Sequence, residues 1–129
     1  DLLTKNLGGD TELALRTIVA FIRSFAMAIP TGKQNSFAAH TLPSTVITSV
    51  HNSQPLSLAN AFVKPVWHGE HEGGLVAASA ARLANEISTL RSVYEIEMSL
   101  SALDTTGVFD QDTVPNLSSL IEQTKAALN

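Results

Sequence analysis

The sequence predicts an α+β fold in which helices pack on a small antiparallel sheet. Stretches with helical spacing of apolar residues alternate with two short strand-like stretches, in the order helix, strand, helix, strand, helix. Such an order suits a sheet whose helices cover one face. Two strands are few for a sheet. We therefore expect residues 1–129 to be a single domain that is a piece of a longer protein.

The first long helix is predicted to begin after Asp10, a favourable N-cap residue that follows two glycines. Its apolar residues recur at helical spacing and are Leu15, Ile18, Val19, Ile22, Phe25, Ala26 and Ile29. Pro30 ends the helix, because proline lacks a backbone donor and clashes with the preceding turn. Phe21 and Phe25 lie on or beside the apolar stripe, so we expect both in the core.

Two strands are predicted further along the chain. Residues 45–50 are rich in β-branched side chains, and a polar turn from His51 to Pro55 closes them. Residues 96–102 alternate apolar and polar side chains in the manner of a half-buried strand. Residues 56–72 lack a clean period and predict a loop with a short strand near Phe62.

Two further helices flank the second strand. The stronger pattern begins at Gly73 and Gly74 and continues as a stripe of Val76, Ala80, Leu83, Ile87, Leu90 and Tyr94. The last helix is capped by Asn116 or Ser118 and carries Leu117, Leu120, Ile121 and Ala127 on its apolar side. Residues 104–112 are predicted to be a loop.

The formal net charge of −4 argues against a protein that binds nucleic acid by bulk charge alone. Residues 1–66 carry five basic and three acidic side chains, whereas residues 67–129 carry three and nine. Any contact with a polyanion is therefore expected in the first half. The chain has no cysteine, which excludes disulfides and cysteine nucleophiles. Arg16 and Arg23 interrupt the best membrane-helix candidate, so we expect a cytoplasmic protein.

The polar segment at residues 31–36 is a candidate phosphate-binding loop. A P-loop would place its first glycine at Met27 and a hydroxyl residue at Gln34, and this mismatch argues against nucleotide hydrolysis. What remains is one cation and two amides. Lys33 can contact a phosphate, while Gln34 and Asn35 can donate to phosphate, a sugar hydroxyl or a base edge. From composition alone, an ordinary solvated turn is the favoured interpretation.

Two acidic or histidine-rich segments are weaker candidates for chemistry. Residues 68–72 contain His68, Glu70, His71 and Glu72, whose side chains suit zinc or manganese. Four ligands within five residues cannot all converge, so we expect a solvated turn. Asp110 and Asp112 resemble an acid–base pair, but solvation is the simpler account in a loop of this composition. The sequence predicts no catalytic residue, no metal and no cofactor.

Residues 25–43, FAMAIPTGKQNSFAAHTLP, resemble a signature of the CasC family. Residues 54–62, QPLSLANAF, with Pro65 and Val66 look like the family's next block. Residues 104–108, DTTGV, are similar to its closing segment, which is weak alone. The likeness covers most of the chain, and its first block is specific.

The resemblance implies the C-terminal portion of the RNA-binding backbone subunit of a type I-E CRISPR surveillance complex, Cascade, which acts in antiviral defence. It implies half of an RRM-like, ferredoxin-like palm in a subunit that polymerises along CRISPR RNA and presents the guide to target DNA. The implied partners are CRISPR RNA, neighbouring copies, other Cascade subunits and, through the guide, target DNA, with no membrane. In this interpretation Lys33, Gln34, Asn35 and Ser36 contact RNA, with His40 behind them, and the chain is not an enzyme.

Two other classes of function stay open. A structural or protein-interaction domain without RNA binding would use the Gly-Lys loop as an ordinary turn. An NTP-binding enzyme ranks last, because it requires the P-loop that the sequence does not match.

Overall fold

The computed structural model describes residues 2–28, 41–69 and 72–128. The chain forms two compact units, one within residues 1–43 and one of residues 44–128. The predicted α+β fold, with helices packed on a small antiparallel sheet, is confirmed, and the sheet belongs to the second unit.

The first unit contains two helices, α1 (Leu2–Asn6) and α2 (Thr11–Met27), which pack against each other. Gly8 and Gly9 connect them with φ angles of 70° and 91°, a backbone region that glycine adopts without steric cost. Asp10 caps α2 as predicted, because its Oδ1 accepts a hydrogen bond from the Leu13 amide at 2.9 Å.

The sheet consists of β1 (Thr45–Val50) and β2 (Ser99–Asp104), which pair antiparallel. Thr45 lies opposite Asp104, and Val50 lies opposite Ser99. The strand predicted at residues 45–50 is confirmed. β2 begins three residues later than the alternation at residues 96–102 predicts. Glu95 has a φ of 53°, which is not an extended conformation, and the three residues after it are not part of the strand.

Helix α3 (Gly74–Ser92) packs on one face of the sheet. Its buried Ala80 and Ile87 join Leu100 and Ala102 of β2 in one core cluster, which also contains Phe109. A 3-10 turn, Ala59–Phe62, packs against α3. The prediction of a short strand near Phe62 is therefore wrong.

Helix α4 (Leu117–Leu128) packs on the opposite face. Successive strand residues point to opposite sides of a sheet, so Ser101 faces away from the cluster that contains Ala102. The hydroxyl of Ser101 donates to Gln123 Oε1 at 3.0 Å, and the hydroxyls of Thr48 and Thr124 lie 2.7 Å apart. The expectation of helices on one face is thus wrong, since the order of elements does not determine which face a helix covers.

Asn116 is the residue that caps α4, since its Oδ1 accepts a hydrogen bond from the Ser119 amide at 2.9 Å. Within the described residues, no helix is both long and apolar enough to cross a membrane.

We predict that Leu120→Ala destabilises the second unit by about 3 kcal/mol, because it removes a fully buried side chain and leaves a cavity. Leu120 is 0% exposed, whereas Leu128, on the same helix, is 42% exposed. Leu128→Ala is the matched control and should change the free energy of unfolding by less than about 1 kcal/mol. Urea denaturation followed by circular dichroism measures both, and equal losses would contradict this packing.

Candidate functional site

The residues predicted to contact RNA, Lys33, Gln34, Asn35, Ser36 and His40, lie outside the described residues. Their role stays a prediction. The described chain reaches this segment from α2, which ends at Met27, and resumes before β1.

Two cations of α2 are presented to solvent before this segment. Arg16 and Arg23 are both exposed, and neither guanidinium group has an ion pair or hydrogen bond with the residues that the structure describes. They are seven residues apart, so they lie on one side of the helix. Exposed arginines can contact a polyanion, and the expectation that a polyanion meets the first half of the chain stays a prediction.

Phe21 and Phe25 also face solvent, which contradicts the prediction that both are core residues. They are 67% and 70% exposed, and their ring centroids are 5.9 Å apart. Helical spacing shows that two residues share a side of a helix, but not what covers that side. Exposed aromatic faces of this kind stack on bases or pack against another protein.

The two weaker candidates show no assembled chemistry in the described parts of the chain. His68 and Glu72 are exposed, while Glu70 and His71 lie outside the described residues. No group of three or more potential metal ligands gathers among residues 2–28, 41–69 and 72–128.

Asp110 and Asp112, which resemble an acid–base pair in the sequence, lie in different surroundings. Asp112 Oδ2 lies 3.6 Å from Arg91 Nη1, in a partly exposed ion pair. Asp110 is exposed and has no ion pair within the described residues. Asp110 is therefore solvated, as expected from the composition of the loop, whereas Asp112 is paired with Arg91.

The most highly connected side chain in the described structure is Asp104, whose role the sequence interpretation missed. Its carboxylate accepts hydrogen bonds from the hydroxyls of Thr45 and Thr106, at 2.7 and 2.8 Å. It also accepts from the backbone amides of Thr106, Val108 and Phe109, at 3.1, 2.9 and 3.2 Å. The signal that was available is the run DTTG, an aspartate before hydroxyl residues and a glycine, which is typical of a side-chain-stabilised turn.

These contacts control the ionisation of Asp104. Burial raises its pKa, but the hydrogen bonds from Thr45, Thr106 and Phe109 outweigh burial and lower the pKa from 3.8 to about 2. An ionised carboxylate can only accept hydrogen bonds, so the donors around Asp104 favour its ionised form. Asp104 is therefore a structural anion that shapes the turn, and no reacting group lies beside it in the described residues.

Comparison with known proteins relates the chain to CRISPR assemblies. The family described as CT1975-like protein matches residues 1–126. A solved chain from a "CRISPR RNA-guided surveillance complex" matches with a TM-score of 0.85 and 28% identity, over 100% of this chain and 50% of that chain. One from a "CRISPR RNA-guided surveillance complex, pre-nicking" matches with a TM-score of 0.80 and 27% identity, over 98% and 34%. No curated protein matches the sequence.

The chain thus spans half the length of the first solved chain and about a third of the second. The matches confirm the resemblance to a CasC-type family and the α+β fold that the sequence predicts.

Asp104→Asn should lower the free energy of unfolding at pH 7 by about 1–2 kcal/mol, since it replaces a partly solvated anion in a ring of donors. The folded pKa lies below the unfolded one, so this stabilisation is present above about pH 4 and is lost as the pH falls towards 2. Denaturant titrations at several pH values measure the difference between the variant and the natural chain.

Asp110→Asn is the matched control, because it removes an exposed carboxylate from the same loop without removing such a network. It should leave stability nearly unchanged throughout. A loss in Asp104→Asn that stays constant down to pH 2 would show that ionisation of Asp104 does not stabilise the turn.

Proposed function

The chain belongs to the CT1975-like protein family, and we propose that it is part of the RNA-binding backbone subunit of a Cascade complex of type I-E. The observation that carries the proposal is the match of the whole chain, at a TM-score of 0.85, to a chain of an RNA-guided surveillance complex. In such a complex, pairing with the guide reads the target sequence, and the protein holds the RNA backbone.

We place the RNA contact at Lys33, Gln34, Asn35 and Ser36, with His40 behind them. This segment combines one cation with amide and hydroxyl donors, the groups that bind phosphate and sugar oxygens. It follows α2, whose exposed Arg16 and Arg23 lie in the more basic half of the chain. At moderate salt, the positive potential of these two arginines extends about 10 Å from them and attracts a polyanion.

The described sheet supports a loop contact over a sheet contact. RRM modules stack bases on an open sheet face. Here α3 packs against one face of β1 and β2, and α4 packs against the other. If β1 and β2 form part of an RRM-like palm, as we propose, their faces are already used for packing, and RNA is left to the loop.

The partners that follow from this role are CRISPR RNA, neighbouring copies of the subunit, other subunits of the complex and target DNA through the guide. Backbone binding needs no catalytic residue, so we propose a non-enzymatic cytoplasmic component of antiviral defence. The second unit has five more acidic than basic side chains, which makes it better suited to protein neighbours than to RNA.

A protein-interaction domain without RNA binding is the second candidate. The exposed Phe21 and Phe25 favour it, since large exposed apolar side chains mark protein contacts as well as base contacts. Salt-dependent RNA binding separates the two functions.

We predict that the full chain binds fluorescein-labelled single-stranded RNA, and that Lys33→Ala/Asn35→Ala weakens binding about tenfold by removing one phosphate contact and one amide contact. The number of phosphate contacts that is inferred from the salt dependence of the affinity should fall by about one. Fluorescence anisotropy at two salt concentrations measures both quantities.

Lys125→Ala/Asn85→Ala is the matched control, because it removes the same two side-chain types from the acidic second unit. It should bind RNA as tightly as the natural chain. Equal affinity of all three proteins would remove the loop from the binding site, and RNA binding by none of them would favour the protein-interaction domain.

A further inference from the structure

A cavity of about 340 Å³ opens between α3 and the turn at residues 108–112. Its floor is apolar and consists of Ile87, Leu100 and Phe109, which are 3%, 8% and 5% exposed. Its rim is polar and carries Ser88, Arg91, Asp110, Gln111 and Asp112. An apolar floor beneath a polar rim fits a side chain with a hydrocarbon stem and a charged end.

Hydrogen bonds hold the walls of this cavity before any ligand binds. The Asp112 amide and the Thr113 hydroxyl both donate to the Phe109 carbonyl, at 3.0 and 2.7 Å. The Ala102 amide donates to the Asp112 carbonyl at 2.8 Å, which joins the turn to β2. A preformed cavity costs less conformational entropy on binding than one that must be ordered.

The rim carries excess negative charge. Arg91 reaches Asp112 at 3.6 Å and donates to the Met98 carbonyl at 3.4 Å, while Asp110 has no ion pair with the described residues. Glu95 and Glu97 line a second depression, which also includes Arg91. The rim itself has one arginine and two carboxylates, and the two glutamates of the neighbouring depression add to a negative potential that repels phosphate and attracts a cation.

We propose that this cavity receives an arginine side chain from a neighbouring protein chain. The stem would lie on Ile87, Leu100 and Phe109, and the guanidinium would donate to Asp110 and the polar rim. Guanidinium suits this rim because its five donors serve several acceptors at once. A protein neighbour is the occupant to which the proposal commits, which rests on the proposed membership in an assembly. The described residues that line the cavity all belong to the second unit.

The proposed arginine-binding cavity, here called the arginine socket, is tested by titrating the methyl-labelled full chain with N-acetyl-arginine methylamide. The Ile87 and Leu100 methyl signals are followed by NMR. The citrulline analogue, nearly the same shape but neutral, is the matched ligand. Because one ion pair and a short stem give a millimolar Kd, the titration extends to about 50 mM. We expect saturable shifts with the arginine analogue. The affinity for the citrulline analogue should be at least fivefold weaker. Equal shifts with both, or none at these methyls, would overturn the socket.

Asp110→Asn should weaken the arginine affinity about fivefold, because it removes the unpaired carboxylate while keeping its shape. Glu122→Gln removes one negative charge from α4 and is the matched control, expected to bind as the natural chain does. An unchanged affinity in Asp110→Asn would exclude the proposed contact.

The protein occupant is tested by co-expressing Asp110→Arg with the other subunits of its complex. We expect lower incorporation than for the natural chain or Glu122→Arg, with the RNA affinity of the isolated variant undiminished. Normal incorporation would overturn the protein occupant. The RNA measurement keeps this outcome distinct from a failure of the RNA-binding proposal.

Discussion

The carboxylate of Asp104 joins three parts of the second unit: the start of β1, the end of β2 and the turn that follows. Thr45 donates to it across the strand pair, and the amides of Val108 and Phe109 donate to it from the turn. The same turn places Phe109 in the core beside Leu100 and Ala102. The Asp104 anion thus links strand register, turn geometry and core packing. Its two oxygens accept from β1 and from the turn, and the turn carries the core residue Phe109.

The packing of α3 and α4 on opposite faces of the sheet limits how this chain can bind its partners. Both faces of the strand pair are used internally, so recognition falls to loops and helix surfaces. The charge distribution divides those surfaces: the exposed arginines of α2 suit a polyanion, while the acidic rim near Asp110 suits a cation on a protein. The proposed role of a backbone subunit requires both properties, since such a subunit holds RNA and contacts protein neighbours.

Features that depend on local sequence were predictable, and those that depend on distant partners were not. The Asp10 cap and the bounds of β1 follow from adjacent residues. The contact between Thr45 and Asp104 joins residues 59 apart, and no local pattern announces it. Helical spacing placed Phe21 and Phe25 together but could not show that the surface they share is open to solvent. For the candidate site, Lys33 to His40 rest on a motif and its resemblance, because one cation and two amides also suit an ordinary turn.

Photocrosslinking tests most directly the proposal that residues 31–40 bind RNA. The full chain would be irradiated with single-stranded RNA containing 4-thiouridine, and the adducts would be located by tandem mass spectrometry. We expect adducts within residues 31–40, and we expect excess RNA without 4-thiouridine to suppress them. Adducts confined to the acidic unit, residues 44–128, would contradict it.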